Sequence, residues 1–346
     1  MTESERSRVT MQDVARHAGV SSQTVSNVVN GRSARVSEET RDRVIATIAE
    51  LGYRVNQQAR FLRRGRTGTV GLAIPTLDSE YYGALAEALN DRFARRGLRV
   101  VVENTGGAVR AELESLASSH LDAYDGFVLA LAAGDAGDLA RIGAHKPVVL
   151  LGERALSSRF DHVLMDNIGG AQAATELLLR RGAHAIVALG GVLDDEESMP
   201  GLRTRGYRQA HVAMGVEIDR ALIVASRFGI ESGYEGTRSL ISSGTPFDAI
   251  FAFTDGTALG ALRALADAGL RVPEDVQVVG FDNTRAASFS VPRLTSVEPA
   301  NDARAESVVE LLVGWLADPK RTTERRVVMH PATVVEREST RRLDAR

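Results

Sequence analysis

Residues 9–30 read VTMQDVARHAGVSSQTVSNVVN, two helical periods on either side of a Gly-Val-Ser turn. Met11, Val14, Ala15 and Ala18 recur at the i, i+3, i+4, i+7 spacing that gives a helix one buried face. Gly19 is free to take the positive φ that stops such a helix. Ser21 is placed as the N-cap of a second helix, its hydroxyl accepting a backbone N–H that the first turn leaves unpaired. At about 100° per residue, Val25, Val28 and Val29 fall on one arc of that helix, and Ser22, Gln23, Ser26 and Asn27 on another. One arc packs and the other offers only hydrogen-bonding groups. A helix with such a face can lie in the major groove of DNA, where Gln and Asn suit bidentate contact with adenine. The pattern alone leaves open a solvated face on an ordinary helix pair.

A third helix is expected over about 37–51, with Ser37 as N-cap, Glu38 and Glu39 at its positive end, and Val44, Ile45, Ile48 and Leu51 as its buried stripe before Gly52. Charge is distributed unevenly around this core. Residues 1–66 hold 12 arginines against 7 acids, a surplus of five positive charges; with −3 for the whole chain of 346 residues, the remainder stands at −8. A basic head on an acidic body is the footprint of a DNA-binding module joined to something else. With no cysteine there is neither a disulfide nor a thiolate metal site. No apolar run approaches the roughly 18 residues of a membrane span, and MTESERSRVT carries no signal-peptide core, so a cytoplasmic protein without membrane contact is expected.

The 22-residue string closely resembles the N-terminal DNA-binding motif of the lactose/galactose repressor (LacI/GalR) family of bacterial transcription regulators. The matching pieces are D-V-A at 13–15, A-G-V-S at 18–21, T-V-S at 24–26 and V-V-N at 28–30. Asn56–Arg66, NQQARFLRRGR, is too short to be a stable helix alone and is crowded with arginines that DNA would neutralise. In the family the matching segment is a hinge helix that pairs with its dimer mate in the minor groove. A leucine there wedges into the central base step; Leu62 matches it, with Ala59 one turn before. The DNA-contacting set expected on this reading is Thr10, Ser21, Ser22, Gln23, Ser26, Asn27, Asn30, Arg35, Tyr53, Asn56, Ala59 and Leu62. Two positions depart from the family pattern: Asn27 stands where many relatives carry arginine, and Val55 where a proline often precedes the hinge asparagine. The first implies different operator bases, arginine preferring guanine and asparagine adenine.

From Thr69 the texture changes to short apolar runs alternating with helical patterns. TVGLAIP (69–75), LRVVVEN (98–104), GFVLAL (126–131), PVVLLG (147–152), AIVALGG (185–191), AIFAFTD (249–255) and VQVVGFDN (276–283) read as strands. AEALNDRFARRG and ALGALRALADAGL read as helices between them. Continuous apolar strands separated by helices imply parallel sheets covered on both faces, here two doubly wound lobes. Ligands of such sheets bind beyond the carboxyl ends of the strands. The polar residues there are Asp78, Ser79, Tyr81, Tyr82, Asn104, Thr105, Asp166, Asn167, Thr254, Asp255, Asp282 and Asn283.

The layout resembles the core of the repressor family, itself similar to periplasmic sugar-binding proteins. Arg203 in GLRTRGY and Asp282 in VVGFDN match positions that hydrogen-bond ligand hydroxyls or polar edges in relatives, and Phe228 in RFGIESGY matches a stacking aromatic. Thr254 stands where many sugar-responsive members have asparagine. The expected ligand set is Asp78, Tyr81, Tyr82, Asn104, Arg203, Phe228, Thr254, Asp255 and Asp282. The expected division is a helix-turn-helix domain over 1–55, a hinge over 56–66 and a core over 67–346. Within the core one lobe is expected over about 69–163 and 296–321, the other over about 164–293 and 322–340.

No G-x-S-x-G, P-loop, H-E-x-x-H or glycine fingerprint in a strand-to-helix turn is present, so neither catalysis nor a cofactor is expected. The acidic run 194–197 reads as a solvated loop, and the seven histidines show no ligand spacing, so no metal site is expected. The family reading implies a homodimer on a pseudo-palindromic duplex, with a small effector, a sugar, between the lobes. Relatives that tetramerise carry a leucine-heptad tail, whereas VVERESTRRLDAR holds Leu343 alone. The alternatives are a small-molecule binder without DNA function, and a regulator answering to a partner protein or a nucleobase.

Overall fold

Thr10 opens the first helix of the structure, a computed structural model that describes residues 9–29, 36–53, 66–133, 135–140, 142–153, 159–195, 197–318 and 324–342. Contacts divide the chain into a first unit up to Thr67 and a second from Gly68. The first unit has three helices, α1 (Met11–Ala18), α2 (Ser22–Val29) and α3 (Glu38–Leu51). Asp13 N–H donates to Thr10 Oγ1 at 3.3 Å and Thr10 N–H to Asp13 Oδ2 at 3.0 Å, a reciprocal cap that satisfies two otherwise orphaned donors. Gly19 ends α1 at φ 64°, and Val20 N–H folds back onto Ala15 O.

Val14, Val25 and Val44, one from each helix, are completely buried together with Ala15 and Ala18. Each such valine contributes on the order of 1.5–3 kcal/mol relative to exposure. The expected stripe of α3 needs one correction: Ile45 is 52% exposed, while Thr47 takes a buried place beside Val44. Val44, Thr47, Ile48 and Leu51 follow the helical period toward α1 and α2, and Ile45 lies a quarter-turn off it. The Thr47 hydroxyl donates to Arg43 O, so its burial leaves no orphan. Arg43 Nε in turn donates to Ala18 O at the end of α1.

The second unit contains two six-stranded sheets. The first runs in the order β11-β5-β4-β3-β1-β2, with β1 (Thr69–Ile74), β2 (Arg99–Asn104), β3 (Gly126–Leu131), β4 (Val148–Gly152), β5 (Asp161–Met165) and β11 (Val327–His330), every pair parallel. The second runs β12-β10-β9-β8-β6-β7, with β6 (Ile186–Leu189), β7 (Ile223–Val224), β8 (Ala249–Ala252), β9 (Gln277–Phe281), β10 (Thr295–Glu298) and β12 (Thr333–Val335). Only the β10–β12 pair among these is antiparallel. Strands β1, β3, β4 and β5 are buried throughout, as parallel pairing with helical crossovers requires. The edge strand β2 leaves Val101 and Val102 exposed, so its apolar run does not mark a covered strand.

Helices that position the site are α4 (Glu80–Arg95), α8 (Asn167–Arg180), α9 (Met199–Met214), α10 (Ile230–Ser242), α11 (Asp255–Asp267) and α12 (Asn301–Ala317), with the short α5 (Val109–Ser115), α6 (Ser118–Leu121) and α7 (Ala136–Ala140) beside the first sheet. The expected lobe limits need correction at two strands. Residues 296–298, assigned by sequence to the first lobe, belong to β10, which pairs with β9 in the second sheet. Residues 327–330, assigned to the second lobe, form β11, which pairs with β5 in the first. Only after β10 does the chain return, as α12, to pack on α4, β4 and β5. Strands of three or four residues show no decisive period, and their membership is decided by pairing with residues far away in sequence.

Candidate functional site

The polar arc of α2 has the composition the sequence suggested and a definite internal arrangement. Ser22 and Gln23 are exposed, and Ser26 and Asn27 are half-buried. Gln23 Nε2 donates to Asn27 Oδ1 at 3.2 Å, an i, i+4 pairing that leaves the Gln23 carbonyl and the Asn27 amide N–H groups for other partners. Other members of the expected DNA set have structural duties. Thr10 is the cap of α1; Ser21 accepts from Thr24 N–H at 3.1 Å and shares a hydroxyl bond with Thr24 at 2.9 Å. Tyr53 packs, half-buried, against the three-helix core. Asn30, Arg35, Asn56, Ala59 and Leu62 lie outside the described residues, and the hinge expectation with them.

In the second unit a polar cluster forms where strand ends from both sheets converge. Arg203, on α9, is 2% exposed. Its Nε donates to Asn167 Oδ1 at 2.8 Å, its Nη1 to Phe253 O and its Nη2 to Met165 Sδ at 3.2 Å. Asp282 Oδ1 lies 3.7 Å from Nη2, and the guanidinium stacks 3.5 Å from the centroid of Phe281. Asn167, at the start of α8, donates through Nδ2 to Glu153 Oε2, the residue after β4, so the network passes from one sheet to the other.

Asp282 sits at φ 111°, a region L-residues rarely adopt, and its N–H is held by Val297 O at 2.9 Å. Burial holds its carboxyl well above the ordinary range, against the pull of Arg203. Asn301 Nδ2 reaches its carbonyl at 3.5 Å, and Asn301 Oδ1 accepts from Arg304 Nη1 at 3.3 Å. The same Nη1 donates to the hydroxyl of buried Tyr81 at 2.9 Å, and Tyr82 meets Tyr81 edge-on with centroids 4.9 Å apart. Burial raises both phenols, so both stay neutral. Phe228 is 43% exposed, and its ring stands over Gly190 at φ 104°. A Cβ on Gly190 would come within 3.1 Å of both Phe228 Cε1 and Phe253 Cβ, so the bare backbone allows the two rings their approach.

Three members of the expected ligand set have other employment. Both oxygens of buried Asp255 are taken: Oδ2 accepts from Thr284 N–H at 2.6 Å and Thr284 Oγ1 at 3.1 Å, and Oδ1 from Ser296 Oγ at 2.5 Å. It anchors the loop carrying Asp282, and burial lifts its pKa to about 6 despite those donors. Thr254 is the N-cap of α11, accepting from Thr257 N–H at 3.1 Å. Asn104 is exposed, and its amide oxygen accepts from Gly106 N–H at 2.9 Å to close a turn. Asp78 is exposed and lines an open cavity of about 370 Å³ with Glu80, Glu87 and Arg285. There Glu80 Oε1 accepts from Ala286 N–H at 3.1 Å, a contact between the lobes.

The expected ligand set omitted Glu153, Asn167, Asn301 and Arg304. Asn167 is among the polar strand-end residues and Glu153 directly follows β4, so the strand-end rule reaches both. Arg304 gives no such signal, because it lies inside a helix beside Ala305 and Val308. Among the described residues no three His, Cys, Asp or Glu side chains are placed to hold a metal ion, and no helix is long and apolar enough to cross a membrane.

Two parallel-sheet lobes with a buried polar cluster at their strand ends define a small-molecule binder, here joined in one chain to a helix-turn-helix unit. Comparison with known proteins agrees with both halves. The model of bacterial regulatory proteins of the lacI family matches residues 10–56, and that of the periplasmic binding protein-like domain matches residues 175–340. The HTH-type transcriptional regulator DegA of Bacillus subtilis is 31% identical over 333 residues, covering 95% of this chain and 97% of its own. The solved complex of the transcriptional regulator CelR with cellobiose superposes with a TM-score of 0.69 at 33% identity, over 96% of this chain and all of that one. The lac repressor dimer bound to operator and the anti-inducer ONPF gives 0.78 at 27%, over 96% and 99%. The chain belongs to the lacI family of bacterial regulatory proteins.

Proposed function

We propose that the protein is a sequence-specific DNA-binding regulator, a cytoplasmic, non-catalytic repressor of a sugar-utilisation operon, whose operator affinity is set by a small ligand held at the Arg203–Asp282 cluster. The observation that carries this reading is the coexistence in one chain of the Ser22-Gln23-Ser26-Asn27 face on α2 with a buried arginine–aspartate ion pair in the polar cluster at the strand ends of the core. Arg203 and Asp282 supply donors and acceptors for sugar hydroxyls, and the half-exposed ring of Phe228 supplies a stacking face. CelR, solved with cellobiose, supports a sugar as the ligand.

The lac repressor binds its operator as a dimer, and two apolar surfaces of this chain suit the same assembly. One is the β2 edge with Val101 and Val102; the other is the turn bearing Phe289 and Val291, which are 76% and 94% exposed. A two-fold dimer reads two half-sites, hence a pseudo-palindromic operator. Effector binding needs a coupling of only a few kcal/mol to change operator occupancy.

The test is a salt-titrated binding measurement with full-length protein. Inverted repeats from its own gene neighbourhood should bind roughly 10³-fold or more tightly than random duplex at physiological salt. Equal affinity for the two overturns the reading.

A further inference from the structure

Arg304, one turn into α12, is 1% exposed. Its Nη1 has two acceptors, the Tyr81 hydroxyl and Asn301 Oδ1, and both are neutral. Its Nε is buried with no hydrogen-bond partner. Among the described residues no carboxylate forms an ion pair with it, whereas Arg203 has Asp282 at 3.7 Å. An arginine does not escape burial by losing its proton, and a buried cation without a counter-ion is costly.

None of the neighbours supplies that charge at contact distance. Tyr81 stays a neutral phenol, because burial raises it further than Arg304 lowers it. Asp282 faces Arg203, and Glu153 accepts from Asn167. Arg304 nevertheless belongs to the cluster: Asn301 joins it to the Asp282 carbonyl, and Tyr81 joins it to the first turn of α4. The cluster therefore holds a guanidinium in position with its Nε unpaired and no carboxylate at ion-pair distance, Glu153 and Asp282 acting on it only from farther away.

We propose that the effector is a sugar bearing a carboxylate, an aldonic or uronic acid, and that Arg304 receives this carboxylate at the edge of its guanidinium that carries the free Nε. The proposal rests on the reading of the cluster as the effector site. A hydroxyl group would fill the free donor and leave the charge unmatched. A phosphate would call on more donors than this one edge presents, whereas the planar fork of a guanidinium edge matches the two oxygens of a carboxylate. The hydroxyls and ring of the sugar remain for Arg203, Asp282 and Phe228.

The experiment uses the full chain, with thermal unfolding and calorimetric titration against galacturonate, glucuronate and gluconate. Galactose, glucose and glucose 6-phosphate are run in parallel, with a set of nucleobases. At least one acid should raise the melting temperature, and its neutral counterpart should bind on the order of 100-fold more weakly. Arg304→Met should erase that preference, and Arg304→Lys, which keeps the charge without the fork, should retain part of it. Should either variant fail to fold, the wild-type panel still decides.

Neutral sugars binding as tightly as the acids overturn the role of Arg304 and leave the sugar-effector reading standing. Glucose 6-phosphate binding more tightly than every acid overturns the carboxylate. A panel in which no acid binds overturns the proposal, and stabilisation by nucleobases with no response to any sugar or acid overturns the underlying reading as well.

Discussion

On the proposed DNA-facing side of the first unit, polar side chains find their partners three or four residues away: Thr10 with Asp13, Ser21 with Thr24, Gln23 with Asn27; Arg43, which ties α3 to Ala18 O, reaches across the described fold of that unit. In the second, Arg203 reaches Asn167 across 36 positions, Asp255 reaches Ser296 across 41, and Arg304 reaches Tyr81 across 223. The difference follows from what each surface meets. A face that reads DNA stays hydrated until the duplex arrives, and local amide pairs hold its geometry at little energetic consequence. A cleft that holds a small ligand must keep polar groups out of water in advance, and only the assembled fold can give them partners.

Removing a polar group from each region tests this contrast most strongly. Arg203→Ala leaves Asp282 buried without its cation and Asn167 Oδ1 and Phe253 O without a donor. A loss of about 3–5 kcal/mol in the stability of the second unit is expected. Trp315, the only tryptophan of the chain, is buried in that unit and reports its unfolding in urea by fluorescence. Gln23→Ala should change stability by no more than about 0.5 kcal/mol. Comparable losses in both variants would break the comparison.

Asp255 sharpens it with pH. Burial raises its carboxyl from 3.8 to about 6, with Ser296 and Thr284 opposing the shift. Between those values the folded chain holds a proton that the unfolded chain has released. The stability linked to this proton is full below pH 3.8 and is lost as pH rises through 6, by up to about 3 kcal/mol. Asp255→Asn can still accept from Thr284 and donate to the Ser296 hydroxyl, so its stability should lack this decline. The measurement is the difference between the two stability–pH curves from pH 4 to 7, and parallel curves would show that the Asp255 proton is not linked to folding.

The same distinction explains how far the sequence could be read. The i, i+3, i+4, i+7 period of Met11, Val14, Ala15 and Ala18 and the cap at Ser21 are local, and both helices of the reader follow from them, while the Thr10 cap of α1 emerges only in the structure. The apolar runs of β1, β3, β4, β8 and β9 were legible for a similar reason, being continuous and bounded by polar residues. Strands β10 and β11 were assigned to the wrong lobes because their place depends on pairing with β9 and β5. Asp255 was read as a ligand group from its position at a strand end, which does not reveal that Thr284 and Ser296 occupy both its oxygens. Arg304 was invisible because nothing within a helical period distinguishes a buried arginine from a solvated one.

The smallest expected effect concerns base preference, and it tests whether the α2 face acts as a unit. Because Gln23 Nε2 donates to Asn27 Oδ1, the pair presents one carbonyl acceptor and one amide donor outward. Those are the complements of the adenine N6–H and N7 edge in the major groove. Asn27→Arg replaces that amide with a fork suited to guanine O6 and N7, so one operator position should change preference from adenine to guanine by roughly 1–3 kcal/mol. Asn27→Ala should weaken the adenine preference while leaving the salt dependence of binding unchanged, since no phosphate contact is removed. Selection from a randomised half-site measures both. If Gln23→Ala and Asn27→Ala relax different positions, and their effects add in the double variant, the two amides read separately and the pairing seen in the free protein is not the reading geometry.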